Sequence, residues 1–280
     1  MKIRKFSKKI EFTNNGALSF FFIGTGSAFS KKHFQTNLLV VKGKDHLLID
    51  CGTLASYVFS TFNTSITEVK NLLITHSHAD HIGGLEEVAL MGRYSTKVRP
   101  KMIIGDGYKK VLWNESLKGG CSYGEYTDGK YMTFDDYFEQ IKPRLLQKRP
   151  RALYEANIGS INVKMYRTHH MTNSGRLSQK SFFSQGVLID DRILFPGDTQ
   201  FDKPLLDWAM AHYKLDGIFH DCQFFKGGVH AFYGDLKTLP SEIKSKMILC
   251  HYGDDFEKFD AKKDGFRGFA KRGIYYDFEK

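Results

Sequence analysis

Apolar residues in this chain fall into short runs rather than long helical stripes. Residues 18–23, 36–41 and 46–50 are rich in Phe, Leu, Val and Ile and are separated by clusters of Gly and Lys, which predicts strands joined by turns. Hairpins therefore open the fold. Farther on, strands predicted over 71–75 and 102–104 alternate with helices over 85–91 and around 108–117. Regularity is lowest over 118–151, where a Gly- and Tyr-rich stretch with Tyr123, Tyr126 and Tyr131 precedes the basic run Lys142, Arg144, Lys148, Arg149 and Arg151. It reads as an insertion or a lid. Strands resume over 161–168, 186–190, 193–195, 215–219 and 247–250, with a helix near 205–212. No linker, repeat or low-complexity tract intervenes. The pattern predicts a mixed α/β chain forming one domain over 1–280, its two strand-rich halves packed as layers.

A chain of 280 residues buries about three-quarters of the surface its unfolded form exposes, so it does not need cross-links to fold. Its four cysteines, Cys51, Cys121, Cys222 and Cys250, are widely spread without a Cys-x-x-Cys pair. That argues against a thiolate zinc site or a disulfide framework and fits a reducing cytoplasm. The apolar stretch 17–23 is too short to span a bilayer and lacks a signal-peptide cleavage pattern, so no membrane partner is expected. Lys and Arg exceed Asp and Glu by 41 to 31, a net charge of +10 that favours a phosphate-bearing partner over a cationic one.

The segment that carries chemistry is Leu72-Leu73-Ile74-Thr75-His76-Ser77-His78-Ala79-Asp80-His81-Ile82-Gly83-Gly84. An apolar strand runs directly into three imidazoles and a carboxylate. Side chains two apart on extended backbone point the same way, so His76 and His78 can grip one metal ion, while Asp80 and His81 on the following turn can face a second. Nitrogen and oxygen donors without thiolate suit Zn²⁺, Mn²⁺ or Fe²⁺ in a hydrolytic rather than a structural site. Asp198, at the end of an apolar strand and beside Gly197, is placed to join them.

The His-x-His-x-Asp-His motif at a strand end resembles the signature of the metallo-β-lactamase superfamily. Phe22-Ile23-Gly24-Thr25-Gly26-Ser27-Ala28 and Leu47-Leu48-Ile49-Asp50-Cys51-Gly52 are similar to opening strands of its ribonuclease Z-like branch, and Phe195-Pro196-Gly197-Asp198-Thr199 to its Gly-Asp-Thr segment. The resemblance implies an αββα four-layer sandwich and two divalent metal ions, Zn first and Mn or Fe as alternatives. It implies Asp198 as the bridge and His251 as the last ligand, and it places Asp80 in both the metal and the catalytic sets. Of the neighbours His169 and His170, which point to opposite sides of their strand, it favours His170. Phe219-His220-Asp221-Cys222-Gln223-Phe224 resembles that branch's His-Glu-Ala-Thr-Phe segment, and His230 the histidine of a later segment. By that likeness Asp221 orients His230, which protonates the leaving alkoxide after attack by a metal-activated hydroxide. Two departures stand out, Asp221 in place of Glu and Ala231 where the branch has Ser.

In tRNA-processing members the substrate-gripping arm lies between the third metal histidine and the Gly-Asp-Thr segment. Only 27 residues separate His170 from Asp198 here, which leaves no room for a long arm. The expected function is therefore hydrolysis of a small phosphodiester such as a cyclic nucleotide. The alternatives are a ribonuclease Z-like endonuclease acting on RNA or tRNA 3′ ends, a lactonase or thioesterase, and a non-catalytic binding module. A homodimer is compatible with each.

Overall fold

The computed structural model describes residues 1–123, 125–171 and 182–279. Residues 172–181, part of the interval between His170 and Asp198, lie outside the described residues. Eighteen strands form two eight-stranded sheets and a two-stranded hairpin among these residues. The first sheet runs, in spatial order, Lys2–Lys5, Ile274–Phe278, Leu18–Gly24, Asn37–Lys42, Asp45–Ile49, Asn71–Leu73, Lys101–Ile103 and Glu139–Ile141. The second runs Arg144–Gln147, Leu153–Ile158, Ile161–Arg167, Gln185–Ile189, Ile193–Phe195, Gly217–Asp221, Met247–Cys250 and Gly268–Phe269.

Alternation along the strands separates three cores. Leu18, Phe20 and Phe22 face the second sheet, where Val163, Val187, Ile193 and Phe219 meet them. Phe21 and Ile23, one residue out of phase, face away and pack with Ala55, Val58 and Phe59 of the helix Ala55–Ser60 and with Leu85, Val88 and Ala89 of the helix Leu85–Met91. On the far side of the second sheet, Leu188, Leu194, Ile218 and Leu249 pack with Leu205, Leu206 and Ala209 of the helix Lys203–His212. Because both faces of the central strands are covered, their sequences are near-continuous apolar runs. The result is helix, sheet, sheet and helix in four layers, as expected.

The stretch 118–151, read from sequence as an insertion or lid, is woven into this sandwich. Its end supplies an edge strand to each sheet, Glu139–Ile141 and Arg144–Gln147, while Cys121, Met132, Phe134, Tyr137 and Phe138 are buried in the helix-facing core of the first sheet. Short, charged edge strands carry little hydrophobic pattern, which hid them. Tyr123, Tyr126 and Tyr131 are exposed and touch one another. Among the described residues none of their ring contacts reaches the histidine cluster.

Both sheets are antiparallel at first and become parallel later, from Asp45–Ile49 in one and from Ile193–Phe195 in the other. Parallel strands deliver their C-terminal ends to a common rim, the place where α/β sheets bind ligands. Asp50, His76, Asp198, Asp221 and His251 sit at or just beyond such strand ends, and His170 joins them from the end of the antiparallel strand Ile161–Arg167.

Candidate metal centre

Strand Asn71–Leu73 leaves the ladder early, because the Thr75 N–H turns to Asp50 Oδ1 at 2.7 Å. His76 to His78 continue extended, and the helical turn Ala79–Ile82 starts immediately after His78. This sharp change brings Asp80 and His81 back over the strand end. The turn lies flat against Asp50-Cys51-Gly52, with Cys51 N–H donating to His81 O at 2.8 Å and Gly84 N–H to Cys51 O at 2.9 Å. A Cβ on Gly52 would lie 2.1 Å from Asp80 O, so only glycine permits this approach.

The structure draws the expected residues into two adjoining groups, His76 with His78 and His170, and Asp80 with His81, Asp198 and His251. Ligand atoms within each group lie within 4.8 Å of one another. In the first, His76 Nε2 is 2.9 Å and His170 Nε2 3.2 Å from His78 Nδ1. In the second, Asp80 Oδ2 is 3.0 Å from His81 Nε2 and 3.4 Å from His251 Nε2. Asp198 Oδ2 stands between the groups, 3.3 Å from His81, 3.4 Å from His251, 3.8 Å from His76 and 3.9 Å from His170. His169 turns the other way, its Nδ1 3.9 Å from Asp202 Oδ2. Two of these positions adopt left-handed backbone, Asp50 at φ +65° and His251 at φ +55°.

The donor set fits cations. His81 Nδ1 lies 2.7 Å from Asp50 Oδ2 and must donate to it, so the neutral ring presents an Nε2 lone pair to the oxygens of Asp80 and Asp198. That buried Nε2 makes no hydrogen bond. Acceptor facing acceptor is repulsive unless a positive charge lies between them. His170 is fixed in the same way: Nδ1 donates to Val229 O at 3.1 Å, leaving its Nε2 lone pair for the cluster. Without a metal ion the positive charge is a proton: burial opposes charge on His81, but Asp198 and Asp50 outweigh it and hold that ring well above its ordinary range, so a metal ion would take the place of the Nε2 proton. Burial likewise opposes charge on Asp198, yet His251, His81 and His230 keep it well below the usual carboxylate range. His76, His78 and His170 are pushed down mainly by burial, toward the neutral form that ligates metal.

Beside the bridging carboxylate sits a second carboxylate–imidazole pair. Asp221 is fully buried, and its Oδ2 lies 3.0 Å from His230 Nδ1 and accepts the Thr199 N–H at 3.2 Å. His230 Nδ1 is also 3.7 Å from Asp198 Oδ2. Burial disfavours a charge on His230, but Asp198 and the bond to Asp221 prevail and push it up to about 9. Its side chain is 20% exposed whereas His76 and His170 are wholly buried, so His230, like the partly buried His78, is open to solvent.

Two residues went unassigned in the sequence. Asp50 stands in the sequence only within a family-like strand, although a carboxylate ending an apolar strand, here two residues before Gly52, is close to the signal that singles out Asp198. Phe182 stacks on His78 at 4.8 Å, and nothing in its local pattern announces that contact. Asp50 sets the His81 tautomer, as carboxylates do behind metal-bound histidines. In Asp50→Asn the amide would donate to His81 Nδ1 and move the ring proton to Nε2, where it blocks ligation. Metal affinity is expected to fall about 10- to 100-fold with the fold retained, as read by competition with a chelator.

Two helix-faced sheets with a His-x-His-x-Asp-His turn on their shared rim define a metallo-β-lactamase fold, whose members carry divalent metal ions. Solved structures agree. The metallo-β-lactamase fold protein YhfI from Bacillus subtilis superposes with a TM-score of 0.67 at 14% identity, covering 94% of this chain and 100% of that one. A diphosphatase from the PhnP family gives 0.63 at 14% identity over 94% and 98% of the two chains, and the short form of human tRNase Z gives 0.60 at 16% over 92% and 98%. Within that class, residues 18–276 match the family Anti-Pycsar protein Apyc1, and the chain belongs to this family. Relatives of that name include one from Bacillus phage BSP38, 36% identical over 91% of this chain and 96% of its own. Another, from Paenibacillus sp. (strain J14), is 35% identical over 87% and 92%.

Proposed function

We propose that this protein is a divalent-metal-dependent phosphodiesterase acting on a small phosphodiester such as a cyclic nucleotide. The observation that carries the reading is the pair of buried Asp221 and partly exposed His230 set against Asp198, a proton donor beside the candidate metal ligands. An alkoxide leaving group needs that proton; a lactone or thioester does not. His76, His78 and His170 would hold one ion and Asp80, His81 and His251 the other, with Asp198 shared and Zn²⁺ the first candidate. When bound, such ions supply Lewis acidity toward a phosphoryl oxygen and make water acidic enough to ionise near neutrality. The chain itself does the rest: Asp50 and Val229 O fix ring tautomers, and Asp221 aims His230.

The basic run favours a small substrate over RNA. Lys142 pairs with Asp106, Arg144 with Glu155 and Arg151 with Asp202, so three of its five charges are already spent on carboxylates. The relatives' name, Anti-Pycsar protein, is compatible with this reading. Four buried, unpaired cysteines suit a reducing cytoplasm, and among the described residues no helix is long and apolar enough to cross a membrane.

The test is a substrate panel with Zn²⁺- and Mn²⁺-loaded protein: 3′,5′-cyclic nucleotides, a lactone, a thioester and precursor tRNA, each over a salt series. Cyclic nucleotides are expected to be hydrolysed with a kcat/KM at least about 10²-fold above that of tRNA, and with weak salt dependence. Efficient cleavage of precursor tRNA that falls steeply with salt would establish the endonuclease instead. Lactone or thioester turnover indifferent to loss of His230 would establish the third alternative.

A further inference from the structure

Next to the histidine cluster lies a cavity of about 320 Å³ lined by Tyr108, Tyr154, Arg167, Phe183 and Gln185, among others. Small-molecule sites begin at about this size. Three contacts join its wall to the metal centre. The Tyr108 hydroxyl is 3.0 Å from Ser77 Oγ, and Ser77 stands between His76 and His78. Phe182, which stacks on His78, is the chain neighbour of Phe183. Gln185 donates from its backbone N–H to Thr75 O at 3.1 Å and from its side chain to Ile74 O at 2.9 Å.

The wall is aromatic and cationic. Tyr108 and Phe183 stack at 4.2 Å with their planes 12° apart, forming one rigid slab. The Arg167 guanidinium lies 4.8 Å from the Phe183 ring centre and donates to Phe182 O and Ser184 O, yet no carboxylate lies within ion-pair distance of it among the described residues. Tyr154 is 40% exposed, and its hydroxyl has no hydrogen bond among the described residues. Stacked rings, a guanidinium without an acid and a free phenol are suited to a flat, π-rich ligand bearing hydrogen-bond acceptors. An acyl chain would use the rings but leave the guanidinium unmatched.

We propose that this cavity is the subsite for the nucleobase of the substrate, with Tyr154 giving the stacking face and Arg167, seated on the Phe183 ring, meeting base acceptor atoms. The assignment rests on the phosphodiesterase reading and adds the part of the substrate that lies away from the metals. Stacking tolerates every base, so the site admits purines and pyrimidines alike.

Calorimetry on the metal-loaded protein with adenosine 5′-monophosphate and ribose 5-phosphate isolates the base. The nucleotide is expected to bind the wild type about tenfold or more tightly than the sugar phosphate. In Tyr154→Ala and in Phe183→Leu that advantage should shrink to about twofold or less. Equal binding of the two ligands by the wild type, absence of binding by both, or an advantage that survives both substitutions would overturn the subsite. Cyclic-nucleotide turnover by the same preparations tests the underlying reading separately. Base discrimination without turnover keeps the subsite and removes the reading, and turnover without discrimination does the reverse.

Discussion

Asp198→Ala is expected to hold about one divalent ion or fewer where the wild type holds about two, and to hydrolyse its substrate on the order of 10³-fold more slowly. The reason is the crowding at a single oxygen. Asp198 Oδ2 has ring nitrogens of His81, His251, His230, His76 and His170 between 3.3 and 3.9 Å away. No other carboxylate oxygen described touches both ligand groups, so deleting it removes the anion the two sites share. Asp198→Asn tests charge apart from shape and should resemble alanine more than wild type. Elemental analysis beside steady-state rates decides the matter. Retention of both ions and full activity in Asp198→Ala would end the bridging assignment.

Loss of His230 should divide substrates by leaving group. With a poor alkoxide leaving group, His230→Ala is expected to be slower by about 10²-fold or more, whereas a nitrophenyl phosphodiester, whose leaving group departs unprotonated, should change by about twofold or less. Burial works against a charged His230, but Asp198 and Asp221 retain the proton and push the ring up to about 9, which keeps it an acid at neutral pH. Asp221→Asn should reproduce the same split more mildly, since the amide still reaches the ring but no longer stabilises its charge. Equal losses on both substrates would make His230 a structural residue.

The sequence announced the centre of the site because its ligands are local. His76, His78, Asp80 and His81 share one turn, and the apolar run before them declares the strand that positions them. Asp198 and His251 were legible for the same reason, as polar residues at the ends of apolar runs. Between His169 and His170 only the family resemblance favoured His170, because both flank the same strand end; packing turns its ring toward Val229 O and that of His169 toward Asp202. Pairings across the whole chain were hidden for a different reason. Lys2–Lys5 is a strand only because Ile274–Phe278 lies beside it, and three of its four residues are charged. Arg151 looked like part of a solvated basic run, yet its guanidinium reaches Asp202 at 2.6 Å and Arg167 O at 2.8 Å, so it supports the second sheet.

The left-handed backbone at Asp50 and His251 places a conformational cost on two residues of this rim. A non-glycine residue there costs about 1 kcal/mol, and glycine would relieve it. At Asp50 that cost is outweighed by the bonds its carboxylate takes from the Thr75 N–H and hydroxyl, so Asp50→Gly would orphan a buried donor and lose stability together with the His81 tautomer. At His251 the buried ring leaves its Nδ1 without a bond, so selection for thermal resilience alone would drift toward removing it. A program of consensus or directed stabilisation that spares His251 can harden the sandwich without eroding its purpose, and one that ignores it will select well-folded, inert proteins.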